Sequence, residues 1–241
     1  MEDYPLFVVP DVAITGMLSE EESHHVGRVL RMQIGEKLYV TDGAGSLYLA
    51  VLKGTDGKEL PVELVEKVRE VATPHPELHL AVAPLKNADR LEWLLEKLVE
   101  VGLASLSLVM TEHTIRKHNN MVRLQKVMLA AVKQSRKRMV TRINEYPGGI
   151  RDLCQSELPT QKFIAYCGDE YPKLELAKAL RPGCSTVVLI GPEGDFSSEE
   201  VEMAVRYGFV PVALGTERLR SETAAVYAGM LHHIINTQAE K

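Results

Sequence analysis

The stretch TVVLIGPEGDFSSEEVEMAVRYGFVPVALGTERLRSETAAVYAGMLHHII, from Thr186 to Ile235, contains two consecutive strand–loop–helix units. Thr186–Ile190 is a β-branched run bounded by Gly191 and Pro192, which predicts a buried strand. Ser197 with Glu200 three residues on is a capping box, and Gly208 is placed to stop the helix that follows. A second strand is predicted over Phe209–Leu214, ending at Gly215, with a second helix from about Ser221. Loops that leave the carboxyl ends of neighbouring strands form the ligand crevice of an open α/β sheet.

The two loops exclude several chemistries. GPEGDF is neither G-x-G-x-x-G nor G-x-x-x-x-G-K-[ST], so neither known phosphate cradle is present, and a nicotinamide oxidoreductase is disfavoured. Glu193 and Asp195 would repel phosphate; a ligand with positive charge and an adenine-like ring suits them better. Ordinary turn chemistry and helix-dipole complementation explain the same residues, so the first loop by itself leaves both readings open.

Taken together, IGPEGDFSSEE and VALGTERLRSETAA resemble the carboxyl-terminal signature of the SPOUT-class ribosomal RNA methyltransferases that modify uridine N3 in small-subunit (16S) RNA. Asp195 stands where that family usually has a second glycine, and Ser221 where it usually has threonine. Asp195 then needs a permissive backbone conformation, which Asp tolerates better than most residues, while Ser221 keeps a capping hydroxyl. HHVGRVLRMQIGEKLYVTDG from His24 is similar to the family's amino-terminal segment. Lys86, Asp89 and Arg90 before LEWLLEKLVEVG, and Gln134, Ser135 and Arg136, resemble its further elements in the same order.

The resemblance implies an α/β fold: a trefoil-knotted, mostly parallel sheet with helices on both faces, preceded by a small PUA-like β-barrel. It implies S-adenosylmethionine as cofactor, contacted by Leu189, Ile190, Gly191, Pro192, Glu193 and Gly194 and by Ala213, Leu214 and Gly215. Leu219, Arg220 and Ser221 would close that pocket; Thr223 and Ala224 are small enough to admit the adenosyl end, although packing explains them too. Methylation at N3 needs the base to lose a proton, so a positioned cation is expected. Arg220, beside a positive helix end, is the candidate. Glu222 could accept the proton, orient Arg220, or merely complement the helix dipole. Methylation of a ribose 2′-hydroxyl or another base by the same fold, and a non-catalytic RNA-binding assembly protein, remain as alternatives. The family is dimeric, but the apolar face of Ala224–Ile235 could equally be intrachain core.

Composition bounds the partners. The chain has 241 residues and a net charge of −5, yet His113 to Arg142 holds nine Lys or Arg and no acid. That run includes Arg116, Arg123, Lys126, Lys133, Arg136, Lys137, Arg138 and Arg142; a basic stripe on an acidic protein suggests a docking surface for RNA phosphates. His25, Arg28, Arg31, Lys86, Arg90 and Gln134 are added as RNA-binding candidates, though solvation alone accounts for Arg28 and Arg31. Small-subunit ribosomal RNA, free or in the assembled subunit, is the expected partner. No run of eighteen apolar residues and no basic-then-apolar leader occurs, so a cytoplasmic protein without membrane contact is expected. Three cysteines without C-x-x-C spacing, and histidines without H-E-x-x-H, predict neither disulfides nor a metal site.

Two domains are expected, 1–72 and 73–241, with Thr73–Pro74–His75–Pro76 as the linker. In the first, Glu36–Asp42 and Leu47–Leu52 flank a hairpin turn at Asp42–Gly43, Pro61–Val71 offers another strand, and Ser19 with Glu22 forms a capping box opening one helix. In the second, strands are predicted over Leu78–Pro84, Leu103–Met110 and Phe163–Cys167. Helices are predicted from Asn87 to Gly102, over Met121–Arg138 and over Leu174–Leu180. Leu91, Leu94, Leu95, Leu98 and Val101 form the core stripe of the first of these, and Trp93 is read as packing.

Overall fold

A computed structural model describes residues 2–69 and 76–239. The expected linker residues Thr73, Pro74 and His75 lie outside the described residues. The chain divides into two compact units, one of Met1–Pro74 with Leu129–Val140, the other of His75–Met128 with Thr141–Lys241.

The first unit is built on a four-stranded sheet: β1 (Leu6–Val8), β2 (Lys37–Thr41), β3 (Leu47–Leu52) and β4 (Val62–Arg69). β1 runs parallel to β2, and the rest is an antiparallel meander. The hairpin turn forms because the Asp42 carboxylate accepts the N–H groups of Ala44 and Ser46, at 2.8 and 3.0 Å. Two short helices, α1 (Val12–Thr15) and α2 (Glu20–His24), precede β2, and α2 continues as a widened π-turn over His25–Leu30. Ser19 caps α2 by accepting the N–H of Glu22, but the capping box is not completed. Glu22 turns inward, is buried, and pairs with Lys133 at 3.1 Å.

The second unit is a seven-stranded parallel sheet ordered β7-β6-β5-β10-β8-β11-β9. The strands are β5 (Leu78–Val82), β6 (Ser105–Val109), β7 (Arg142–Tyr146), β8 (Gln161–Ala165), β9 (Leu174–Glu175), β10 (Thr186–Ile190) and β11 (Val210–Ala213). Strand β10 is buried throughout between β5 and β8, as its continuous β-branched run requires. Val187 and Leu189 share a core with residues of α5 (Ile150–Gln155) and α7 (Ser198–Arg206). The opposite face carries α3 (Ala88–Glu100) and α8 (Ser221–Ala239), where a Cβ on Gly229 would stand 2.9 Å from Leu98 and 3.6 Å from Leu78.

Several local expectations shift. Asn87 caps α3 through the N–H of Asp89, and Leu91, Leu94, Leu95 and Leu98 are buried as the spacing predicts. Trp93, read as packing, is instead 45% exposed. The basic helix α4 (Met121–Gln134) stops short of Arg138, because Arg136 takes a left-handed backbone with φ of 54°. Of the expected Leu174–Leu180 helix, Leu174–Glu175 is the edge strand β9 and only Leu176–Ala179 (α6) is helical. β7 and α5 are elements that periodicity did not single out.

Candidate functional site

The carboxyl ends of β10, β8 and β11, three neighbours in the sheet, open into one cavity of about 650 Å³. Its walls are the loops after each strand, and each loop is held by a definite set of hydrogen bonds.

In the loop after β10, Asp195 adopts a φ of 63°. Its carboxylate accepts the N–H of Cys167 at 2.7 Å and that of Phe196 at 2.9 Å. The Asp195 side chain therefore ties its own loop to the end of β8. On the other side, His113 Nδ1 lies 2.9 Å from the Asp195 carbonyl oxygen, and that hydrogen bond raises the His113 pKa. Gly194 is needed for this approach, since a Cβ there would stand 3.0 Å from the His113 Cβ. Ser197 and Glu200 form the expected capping box at the start of α7, in which Glu200 accepts the Ser197 N–H at 3.0 Å.

The loop after β11 turns at Gly215, with φ of 121°, and runs through Leu219 and Arg220 into α8. The Arg220 carbonyl accepts the Ala224 N–H at 2.8 Å, leaving the Arg220 side chain exposed at the positive end of a nineteen-residue helix. Ser221 and Glu222 are buried. Glu222 Oε1 lies 3.2 Å from Arg90 Nη1, so its partner is Arg90 on α3 and not Arg220. Its other oxygen is buried with no partner among the described residues.

Of the residues expected to surround a cofactor, Ile190 to Glu193, Ala213 to Gly215, Leu219 to Ser221 and Ala224 line this cavity. Leu189 is sealed in the core of β10, Gly194 packs on His113, and Thr223 lines a second cavity shared with Arg90 and Trp93. The loop after β8, overlooked in the sequence, completes the wall with Tyr166, Cys167 and Lys173. Lys173 Nζ donates to the carbonyls of Gly168 and Cys167 at 2.7 and 3.2 Å and sits 5.1 Å from the Tyr166 ring centroid. Nothing in YCGDEYPK marks it as a wall; only the position of β8 between β10 and β11 does.

The basic residues divide between the units. In the first, Arg28 and Arg31 are exposed on and just after the π-turn, His25 packs edge-on against Phe7, and Arg136 pairs with Asp3. Gln134, Lys137 and Arg138 belong to the same unit, around the end of α4. In the second, Lys86 is exposed, Arg116 donates to the His118 carbonyl at 2.9 Å, and Arg123 and Arg142 pair with Glu92 and Glu77. The stripe is thus partly neutralised within the molecule: Arg123, Lys133, Arg136 and Arg142 each hold an internal carboxylate.

The cysteines are free thiols, and burial pushes Cys154 up to about 11. Among the described residues no cluster of three or more His, Cys, Asp or Glu could hold a metal, and no helix is long and apolar enough to cross a membrane.

Comparison with known proteins gives this geometry a family. Residues 73–233 match the model of an RNA methyltransferase domain, and residues 18–65 that of an RNA methyltransferase PUA domain. A ribosomal RNA small subunit methyltransferase E from Bacillus subtilis is 26% identical, with 91% of this chain and 88% of that protein aligned. A probable rRNA-methyltransferase from Porphyromonas gingivalis superposes with a TM-score of 0.88 at 35% identity, over 98% of this chain and 99% of that one. A Legionella pneumophila methyltransferase solved with bound SAM gives 0.79 at 25% identity, over 98% and 95%. With most of its length inside the first of these models and a 35% identical relative matched nearly end to end, the chain belongs to the RNA methyltransferase family.

Proposed function

We propose that the protein methylates N3 of a uridine in small-subunit ribosomal RNA, using S-adenosylmethionine held in the cavity at the ends of β8, β10 and β11. The observation that carries this reading is the cavity wall itself. Two glycine-bearing loops offer main-chain groups, and the wall sets the acids Glu193, Asp195 and Glu217 beside the cations Lys173, Arg218 and Arg220, with no phosphate cradle. Such a mixed wall suits a ligand that carries a sulfonium, an α-amino group and a carboxylate. When bound, this cofactor supplies an electrophilic methyl without any metal.

The chain's own residues would do the rest. Holding cofactor and base in near-attack geometry contributes roughly 7–11 kcal/mol, more than any single side chain here. Arg220 borders the cavity and would stabilise the negative charge that spreads onto the uracil oxygens as N3 loses its proton. Glu222, with one buried oxygen unpartnered, is the proton acceptor. Its ion pair is with Arg90 and not with Arg220, which speaks against its orienting Arg220. Arg28, Arg31 and Arg138 in the first unit, and Lys86 in the second, would contact RNA phosphates; the target base must leave its stack, because N3 lies on the pairing edge.

The same reading makes the protein cytoplasmic and a homodimer threaded as a trefoil. Tyr227, Met230 and Ile234 form an exposed apolar row at helical spacing on α8, which supports the dimer. The test is transfer of labelled methyl to small-subunit particles from cells lacking the protein, followed by mass spectrometry of the nucleosides. N3-methyluridine is expected; a 2′-O-methyl nucleoside or no transfer would overturn the proposal.

A further inference from the structure

We propose that the cavity framed by Trp93, Arg90 and Glu222 is the socket for the target uracil, with Trp93 as its stacking surface. This rests on the uridine methylation proposed above and names the side chains that would receive the base. The cavity, about 620 Å³, shares Arg218, Leu219 and Arg220 with the larger one, so the two adjoin along this segment. A base in one and a methyl donor in the other would meet at their common edge, beside Arg220.

Two features call for an occupant. Trp93 is 45% exposed and lines the cavity with Arg90 and Glu222, so its indole offers a stacking face to whatever enters. Arg90 and Trp93 lie three residues apart, on one face of α3. The second feature is Glu222. It is only 7% exposed, and while Oε1 faces Arg90 at 3.2 Å, Oε2 is buried without a donor among the described residues. A buried charged acceptor left unsatisfied is a stability cost that a donor from a ligand would remove.

The pairing edge of uracil supplies that donor in the right company. It presents acceptor, donor, acceptor: O2, N3–H, O4. The socket offers the complement, one carboxylate acceptor and the guanidinium donors of Arg90 and Arg220. Cytosine presents a lone pair at N3 and would set it against the carboxylate, so the socket discriminates by leaving buried polar groups unpaired. In the reaction the N3–H bond breaks and its proton passes to Glu222 Oε2. The N3 electron pair forms the new bond to the methyl carbon, and the carbon–sulfur pair stays on sulfur as a thioether.

Trp93 is the sole tryptophan of the chain, so its fluorescence reports on this socket directly. The full-length protein, saturated with the demethylated cofactor S-adenosylhomocysteine, is titrated with hexanucleotides carrying a single uridine or a single cytidine. The uridine oligonucleotide should quench the emission saturably, at concentrations about tenfold lower than the cytidine one. Trp93→Leu should raise KM for the RNA by about 10- to 100-fold, the range expected for loss of one base–aromatic stack. Trp93→Phe should recover most of that loss, and cofactor affinity should be unchanged in both. Normal KM in Trp93→Leu, no quench, equal quench by both oligonucleotides, or emission that follows protein concentration in place of nucleotide would overturn the socket. The last outcome would give the surface to a second copy of the chain. If the unmodified protein transfers no methyl to uridine, the proposed function itself fails, and that arm shows it separately.

Discussion

The carboxylate of Asp195 accepts the main-chain N–H of Cys167 at 2.7 Å, linking the loop after β10 to the end of β8 across the mouth of the cavity. The residue does this from a left-handed backbone, φ 63°, where a glycine would be unstrained. Asp195→Ala keeps the strain and loses both carboxylate hydrogen bonds, so it should destabilise the protein by about 2 kcal/mol. S-adenosylmethionine binding should weaken by roughly tenfold in the same variant, since the loop forms the pocket wall. Asp195→Gly also loses the bonds but relieves the backbone, and should recover about 1 kcal/mol. Calorimetric titration and thermal unfolding of the two variants check this. Equal effects would mean that the backbone strain has no energetic weight.

Arg220→Ala should lower kcat by about 100-fold while leaving the dissociation constant for S-adenosylmethionine within a fewfold. The guanidinium is exposed at the start of α8 and borders both cavities, whereas the cofactor wall next to it is largely main chain. Single-turnover methyl transfer beside equilibrium cofactor binding separates the two effects. A loss confined to cofactor binding would remove Arg220 from the chemistry.

The parts of the fold that were legible are those where one local signal sufficed. Thr186–Ile190 is a strand over its whole predicted length because a β-branched run between Gly191 and the preceding turn admits little else. Asn87 and Gly102 bracket α3 for equally local reasons. What failed depended on partners far away in sequence. Glu22 reads as the second half of a capping box, yet Lys133, 111 residues on, offers a stronger partner and draws it inward. Trp93 reads as core because its neighbours are, but α3 turns that side of itself to the socket. The loop from Tyr166 to Lys173 carries no motif, and its place in the wall follows only from strand order.

Burial pushes the imidazole of His232 down from about 6.5 to about 4, against a smaller opposing effect of the Cys184 carbonyl, and leaves its Nε2 unpartnered among the described residues. A depressed folded pKa means that the unfolded chain binds the proton first. The stability His232 contributes is therefore complete above about pH 6.5 and is lost as pH falls toward 4. This contribution is on the order of 3 kcal/mol. His232→Leu should flatten the acid limb of the stability profile by that amount, read as the difference in urea midpoints between neutral and acid buffer. An unchanged acid limb would transfer the effect to the carboxylates.

The basic residues should separate into two classes. Arg28 and Arg31 are exposed in the first unit, and removing both should weaken RNA binding and reduce the slope of log affinity against log salt by about 1.4, the release expected for two contacts to a single strand. Lys133 belongs to the same unit but is occupied by Glu22, whose carboxylate is buried. Lys133→Ala should leave the salt slope as it is and cost about 3 kcal/mol of folding stability, because a buried charge loses its counterion. Pairing Lys133→Ala with Glu22→Gln should restore most of that stability, since the uncompensated charge is gone. A salt slope that falls in Lys133→Ala while stability holds would place Lys133 on RNA and break the distinction drawn between paired and free cations.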